Sequence, residues 1–344
     1  MKINIKTISE NAGVSTATVS RVLRNYPGVR NITRKKVLKI IKELNYEVNE
    51  VARSLRQNKT NTIGVVVGTI LSPFFSAIAK SIEDVANKNN YNMILCDADE
   101  NSEKELKYLK VLTANRVDGI ILAPTGKNKD YINWLIRSNT KLILIDRLIE
   151  GIECDAVVVN NERGAYIAVK HLIDQGFKKI GILTTHQDIT PEKERFNGYL
   201  KALNEAGIPK NDNLIKIGKF KNPMLNKENV INLTKELIQN PDGIDAIFAT
   251  SNDLALGALM AIKKAGLRIP EDIGIISFDD ADWCLILESP LTSIRQPIYN
   301  LGSIAAEMLI KKINGENISL DEKNLTISLN TDLIIRNSTK KLLF

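Results

Sequence analysis

From residue 62 onward the chain repeats one unit: a short run of aliphatic residues, a polar turn, then a longer stretch with apolar positions three and four apart. Strands that are apolar on both faces and alternate with amphipathic helices build parallel sheets covered by helices on both sides. Ile63 to Val67, Tyr91 to Cys96, Gly119 to Ala123 and Leu142 to Asp146 form a first set of strands. Ile180 to Leu183, Leu214 to Gly218, Ala246 to Ala249 and Gly274 to Phe278 form a second, after a helix around Gly164 to Leu172. Val117-Asp118-Gly119-Ile120-Ile121 echoes Ile244-Asp245-Ala246-Ile247-Phe248, so two similar doubly wound lobes are expected. A helix near Leu301 to Ile313 and a strand near Leu325 to Leu329 have no place in a simple tandem. If they cross back to the first lobe, the junction is a hinge. Two facing lobes create one ligand cleft beyond the carboxyl ends of their strands.

The first 60 residues read differently. They carry 13 basic and 4 acidic side chains, a net +9, whereas the remaining 284 carry 34 and 36, a net −2. The whole positive excess of a chain with net charge +7 therefore sits at one end, which points to an acidic polymer as partner there. Thr7-Ile8-Ser9-Glu10 fits a capping box that starts a short helix. Gly13 stops it, and Ser15 caps a second helix running from Thr16 to Arg24, the helix-turn-helix arrangement. Val19, Val22 and Leu23 share one face of that helix, leaving Thr16, Ala17, Ser20 and Arg21 on the other. An arginine there can bridge guanine O6 and N7, and small or hydroxylated neighbours can meet base edges or phosphates.

A third helix, about Thr33 to Leu44, is expected to pack Val37, Leu38, Ile41 and Leu44 inward and to present Arg34, Lys35, Lys36, Lys39 and Lys42 outward. The segment from Asn49 to Arg56 reads as a short helix on a polar linker, too short to be stable alone. Folding on DNA, it would offer Leu55 between Arg53 and Arg56 as a minor-groove wedge. The chain divides on this reading into a head, 1–48, a hinge helix and linker, 49–61, and a body, 62–344, with one lobe from 62–160 and 292–330 and the other from 161–291.

In the body, polar residues at strand ends are the ligand candidates: Asp146 and Arg147, Asn252 and Asp253, Asp279 and Asp280, with Arg195 and Phe220. Paired polar groups and an aromatic face suit a sugar, whose buried hydroxyls each need a partner. Each acidic residue directly after a strand is equally a helix N-cap, Asp253 above all.

Thr7 to Leu23, with Ala12-Gly13-Val14-Ser15 and Thr18-Val19-Ser20-Arg21-Val22-Leu23, and then Val51-Ala52-Arg53-Ser54-Leu55, resembles the LacI/GalR family of bacterial transcription regulators, and the resemblance extends through the body. Asn11, Arg30 and Val48 depart from the family pattern. The resemblance implies DNA contacts from Thr7, Ser15, Thr16, Ala17, Ser20, Arg21 and Asn25 in the head and from Ala52, Leu55 and Arg56 in the hinge. It implies an effector pocket lined by Phe75, Asp146, Arg147, Arg195, Phe220, Asn252 and Asp279, in a body of the periplasmic-binding-protein type. Phe278-Asp279-Asp280-Ala281-Asp282-Trp283 is similar to the branch that regulates gluconate or 2-keto-3-deoxygluconate catabolism. The expected partners are a palindromic double-stranded DNA operator, a sugar or sugar-acid effector and a second copy of the chain. Whether a phosphocarrier protein joins as co-regulator is left open.

An enzyme is the competing class, but GxGxxG, the Walker GxxxxGK[ST], HExxH and GxSxG are all missing, and His171 and His186 adjoin no nucleophile pattern. A sugar-binding transport protein would have a signal peptide and no basic head. Cys96, Cys154 and Cys284 are far apart without a CxxC pair, so neither a disulfide framework nor a zinc site is expected. A cytoplasmic regulator without cofactor or metal is the expectation.

Overall fold

A computed structural model describes residues 4–23, 26–44, 59–218, 226–316 and 324–340. Its chain forms two compact units, residues 1–60 and 61–344.

In the first unit, α1 (Ile5–Ala12), α2 (Thr16–Leu23) and α3 (Asn31–Glu43) enclose Ile8, Ala12, Val19, Val22 and Val37. Helix α1 begins about one turn earlier than the Thr7–Glu10 spacing predicts. Asn4 is its cap, its Oδ1 accepting from the Lys6 and Thr7 amides at 2.9 and 3.0 Å, and this draws Ile5 into the helix. Gly13, at φ 64°, ends α1 in the left-handed region that glycine adopts at little cost. Ser15 does cap α2, its Oγ accepting from the Thr18 amide at 3.2 Å. In α3, Val37 packs inward with Ile40, Ile41 and Leu44, but Leu38 is 48% exposed because it lies off the 37, 40, 41, 44 stripe. Arg34 is half-buried and its Nη2 donates to the Tyr26 carbonyl, which holds the turn before α3.

The second unit alternates strand and helix: β1 (Thr62–Val67), α4 (Pro73–Lys88), β2 (Asn92–Asp97), α5 (Ser102–Ala114), β3 (Gly119–Leu122), α6 (Lys129–Arg137), β4 (Leu142–Ile145) and β5 (Ala156–Val159). It continues with α7 (Asn161–Asp174), β6 (Ile180–Thr185), α8 (Thr190–Glu205), β7 (Ile215–Gly218), α9 (Lys227–Ile238), β8 (Ala246–Ala249), α10 (Asn252–Lys264) and β9 (Gly274–Phe278). The chain then forms β10 (Thr292–Arg295), α11 (Ile298–Ile313), β11 (Thr326–Leu329) and β12 (Asp332–Ile334).

The strands make two six-stranded sheets, in the orders β11-β5-β4-β3-β1-β2 and β12-β10-β9-β8-β6-β7. The inner strands bury both faces. In β1, Ile63, Val65 and Val67 enter one core while Val66 enters another on the opposite side. The echo has a structural counterpart: Asp118 accepts from the Asn61 amide just before β1, and Asp245 accepts from the Lys178 and Lys179 amides just before β6.

The chain passes between sheets three times, at β5–α7, at β10–α11 and between β11 and β12. The late helix and strand return to the first sheet's side: α11 packs on α4 and β11 pairs with β5. The return begins after β10 rather than at residue 292, since β10 pairs parallel with β9 in the second sheet. One departure from a purely parallel pattern follows, β12 running antiparallel to β10. A cluster around Asp280 binds this end of the chain to the second lobe. It accepts from Ser293, Arg295 and Arg336 at 2.6 to 3.0 Å, and against burial these bonds hold its carboxyl down to about 2. Among the described residues no helix is long and apolar enough to cross a membrane.

Candidate functional site

On α2 the apolar stripe fixes what is left over. Val19 and Val22 are buried, so Thr16, Ala17 and Arg21 stand exposed on the other side with Ser20 half-buried beside them and Ser15 exposed at the start. Arg21 lies 6.0 Å from the Tyr26 ring. Thr7 is half-buried inside α1, its hydroxyl 3.3 Å from Asn4 Oδ1. Asn25, Ala52, Leu55 and Arg56 lie outside the described residues, as does Phe220.

In the body, β1, β2, β4, β6, β8, β9 and β10 deliver their carboxyl ends to a cleft of about 710 Å³, including space open to solvent. Sixteen residues from both lobes line it, Phe75, Asp146, Arg147, Arg195 and Asp279 among them. Asp146 and Asp279 directly follow β4 and β9 and both adopt positive φ, 68° and 77°, a conformation Asp tolerates better than most residues. Both carboxylates are buried. Burial pushes Asp146 up to about 6 against the pull of Arg147 and Arg195, and burial likewise raises Asp279 against Arg195 and Gln296. Oδ2 of Asp146 accepts from Arg147 Nε at 3.2 Å, and Oδ1 has no partner among the described residues.

The two arginines differ. Arg147 is clasped by Glu100 through two bonds of 2.7 Å, touches the Pro124 carbonyl and lies 5.5 Å from the Phe75 ring, so its charge is matched within the protein. Arg195 lies 3.8 Å from the Phe278 ring; Nε donates to Asn161 Oδ1 at 2.9 Å and Nη1 to the Thr250 carbonyl at 2.7 Å. Its Nη2 is left for the cleft. Among the described residues, five carboxylates (Glu100, Asp146, Glu192, Asp253, Asp279) and two guanidiniums line the cleft, a formal −3, which opposes an anionic ligand. Phe74 and Phe75 meet edge to face at 5.1 Å and supply the apolar wall.

Asn252 is not on the wall. It opens α10, its amide donates to Asp279, and its Oδ1 is buried. Its neighbours take the places expected of it and of Asp253. Ser251 is the cap of α10, accepting from the Leu254 amide, and Asp253 faces the cleft, its carboxyl raised by burial and by Asp279. His186 is exposed and off the wall, while His171 is buried in α7 and bonds Thr339 at 2.8 Å. The three cysteines are buried free thiols.

Several wall residues escaped the sequence reading. Gln296 follows β10, a strand too polar to be read as one. Its Nε2 donates to Asp279 and its Oε1 is buried with no partner among the described residues. Glu192 lies one helical turn before Arg195, a spacing visible in the sequence, and accepts from the Thr184 and Thr250 hydroxyls at 2.7 and 2.8 Å. Glu100 sits in the acidic loop after β2, where nothing local marks it as the partner of Arg147.

A basic helix-turn-helix head and a two-lobed body with a polar cleft define a ligand-responsive DNA-binding regulator. The chain belongs to the LacI family: residues 4–49 match the model of bacterial regulatory proteins of the lacI family, and residues 60–334 match that of periplasmic binding proteins and the sugar binding domain of the LacI family. It is 35% identical to the HTH-type transcriptional repressor PurR of Photobacterium profundum, over 98% of this chain and 99% of the relative. A crystal structure of the lac repressor dimer bound to operator and the anti-inducer ONPF superposes with TM-score 0.86 at 25% identity, covering 98% of this chain and 99% of that one. A LacI family regulator from Enterococcus faecium with bound ribose gives TM-score 0.69 at 31% identity, over 82% of this chain and all of that one. The protein is a DNA-binding transcription regulator with an effector-binding body, and its relatives carry the names of regulators rather than enzymes.

Proposed function

We propose that the protein is a cytoplasmic repressor of a carbohydrate-utilisation operon and acts as a homodimer on a palindromic operator. A neutral sugar of about pentose or hexose size, bound between the lobes, sets its operator affinity. The observation that carries the ligand class is the charge of the wall: among the described residues Arg147 is matched by Glu100, and the carboxylates of Asp146, Asp253 and Asp279 outnumber the guanidinium nitrogen of Arg195 left for the cleft. Hydroxyl groups donate well to such carboxylates, and the faces of Phe74 and Phe75 suit the apolar side of a sugar ring. The ribose carried by the Enterococcus faecium relative fits this reading.

A sugar acid is the second reading, favoured by Arg195 Nη2. The motif 278–283 lends it little weight, because Phe278 braces Arg195 and Asp280 ties Arg295 and Arg336, roles that fix these residues whatever the ligand. A phosphocarrier co-regulator, which none of the described residues calls for, is tested by adding such a protein to the operator assay.

Two identical heads reading two half-sites supply the symmetry a palindrome needs. For the ligand to regulate, it must bind the two lobe arrangements with different affinity. A thermal-shift screen of D-ribose, other neutral sugars, gluconate and 2-keto-3-deoxygluconate tests the ligand class, since a binder stabilises the folded state by mass action. Stabilisation by neutral sugars alone supports the first reading, and stabilisation by the acids alone overturns it. Removing residues 1–60 is expected to abolish operator binding while the body keeps its ligand response.

A further inference from the structure

Arg195 reaches the cleft from α8, yet what sets its orientation comes from another element. Asn161, only 1% exposed, is the first residue of α7, directly after the crossing from the first sheet to the second. Its amide faces two ways. Oδ1 accepts from Arg195 Nε at 2.9 Å, while Nδ2 donates at 3.2 Å to the Val159 carbonyl and at 3.2 Å to Glu194 Oε2. Glu194 is the neighbour of Arg195 in sequence and belongs to the wall of a separate groove behind the hinge.

We propose that Asn161 is the positioning residue of the ligand site: it holds the Arg195 guanidinium edge-on to the cleft and keeps the adjacent Glu194 carboxylate turned away from it. This rests on the cleft being the ligand site. Three partners define the guanidinium plane, namely Asn161 at Nε, the Thr250 carbonyl at Nη1 and the Phe278 ring beneath. Thr250 and Phe278 belong to the strand ends of the second lobe, so Asn161 is the partner that ties the arginine to the crossing itself. An acceptor is required there. A carboxylate at 161 would keep the Nε bond, whereas an apolar side chain would leave a buried guanidinium N–H without a partner. Because Asn161 follows the crossing residue Asn160, a change of angle between the lobes moves the acceptor and with it the guanidinium.

The test compares the wild type with Asn161→Leu and Asn161→Asp in the full chain. The Arg195 Nε–H resonance, assigned by its loss in Arg195→Lys, reports the hydrogen bond without any ligand. It is expected to be protected from exchange in the wild type and in Asn161→Asp and exposed in Asn161→Leu. With D-ribose as probe, Asn161→Leu is expected to weaken binding about tenfold or more, the loss of one bond to a charged group, and Asn161→Asp, which keeps the Nε acceptor but loses the Nδ2 donor to Glu194, to fall between Asn161→Leu and the wild type. A protected resonance and unchanged ribose affinity in Asn161→Leu would overturn the proposal, as would an exposed resonance in a folded Asn161→Asp. A wild type that ignores ribose and every other sugar would refute the ligand reading, and the resonance would still decide the role of Asn161.

Discussion

Acidifying the solution from about pH 7.5 to about pH 5 is expected to weaken sugar binding, and Asp146 is the reason. Its carboxyl is buried at the end of β4, one oxygen accepts from Arg147 Nε and the other faces the cleft, and burial pushes it up to about 6. A sugar hydroxyl that donates to Oδ1 stabilises the ionised form and returns the group toward its ordinary value near 4. Binding then requires a deprotonated Asp146. With a free value of about 6 and a bound value of about 4, affinity at about pH 5 is about tenfold lower than at about pH 7.5. The stability of the ligand-free body moves the other way. A carboxyl raised on folding penalises the native state above its folded value, and that penalty is relieved as pH falls from about 6 toward 3.8. The gap corresponds to about 3 kcal/mol. Asp280, held down near 2, loses its contribution only as pH falls below the ordinary carboxylate value, outside this window. Titration calorimetry with D-ribose in buffers of different ionisation heat measures both affinity and protons released. Asp279, raised in the same direction, adds to the slope, so Asp146→Asn is expected to flatten most of it rather than all. Equal affinity at the two pH values, or the same slope in Asp146→Asn, would refute the reasoning.

Glu100→Ala removes both 2.7 Å bonds to a buried guanidinium and is expected to cost about 3–5 kcal/mol of body stability, read by denaturant unfolding. Gly198→Ala would place a methyl 2.3 Å from the Glu162 carbonyl oxygen where α7 and α8 press together, so a loss of about 3 kcal/mol or more is expected in the same assay. Asn4→Ala removes the cap of α1 and should cost the head about 1 kcal/mol, seen as faster amide exchange over residues 5–12 with the body unchanged.

Much of the architecture was legible because burial on both faces leaves a mark that needs no neighbour to interpret. The runs at 63–67, 246–249 and 274–278 are apolar but for two glycines and Ser277, and each is an inner strand. The elements that went unread are of two kinds. Thr292–Arg295 lies toward one end of the second sheet and lends Ser293 and Arg295 to the Asp280 cluster, so composition hides it, and Asp332–Ile334 beside it is only three residues long. Ala156–Val159 is apolar and as short as strands that were legible, but its pairing with 326–329 is a relation that local pattern does not carry. Strand-end position points to Asp146 and Asp279, which line the cleft, and to Asn252, which does not, because the cap of α10 can fall on any of three consecutive polar residues and Ser251 takes it. Glu100 and Gln296 are defined by partners 47 and 17 residues away, a relation that local pattern does not carry. Leu38 shows the same limit at small scale, since being apolar on a helix does not place a residue on its buried stripe.

The central claim is that one chain reads DNA with its head and is switched by a sugar in its cleft. The most direct test is fluorescence anisotropy of a palindromic fragment, selected from genomic DNA by the full-length protein, titrated with that protein in the absence and presence of saturating D-ribose at fixed salt. The midpoint is expected to shift about tenfold or more with the sugar, within the usual range of allosteric coupling. Superimposable titrations, with ribose shown to bind the same preparation, would contradict it.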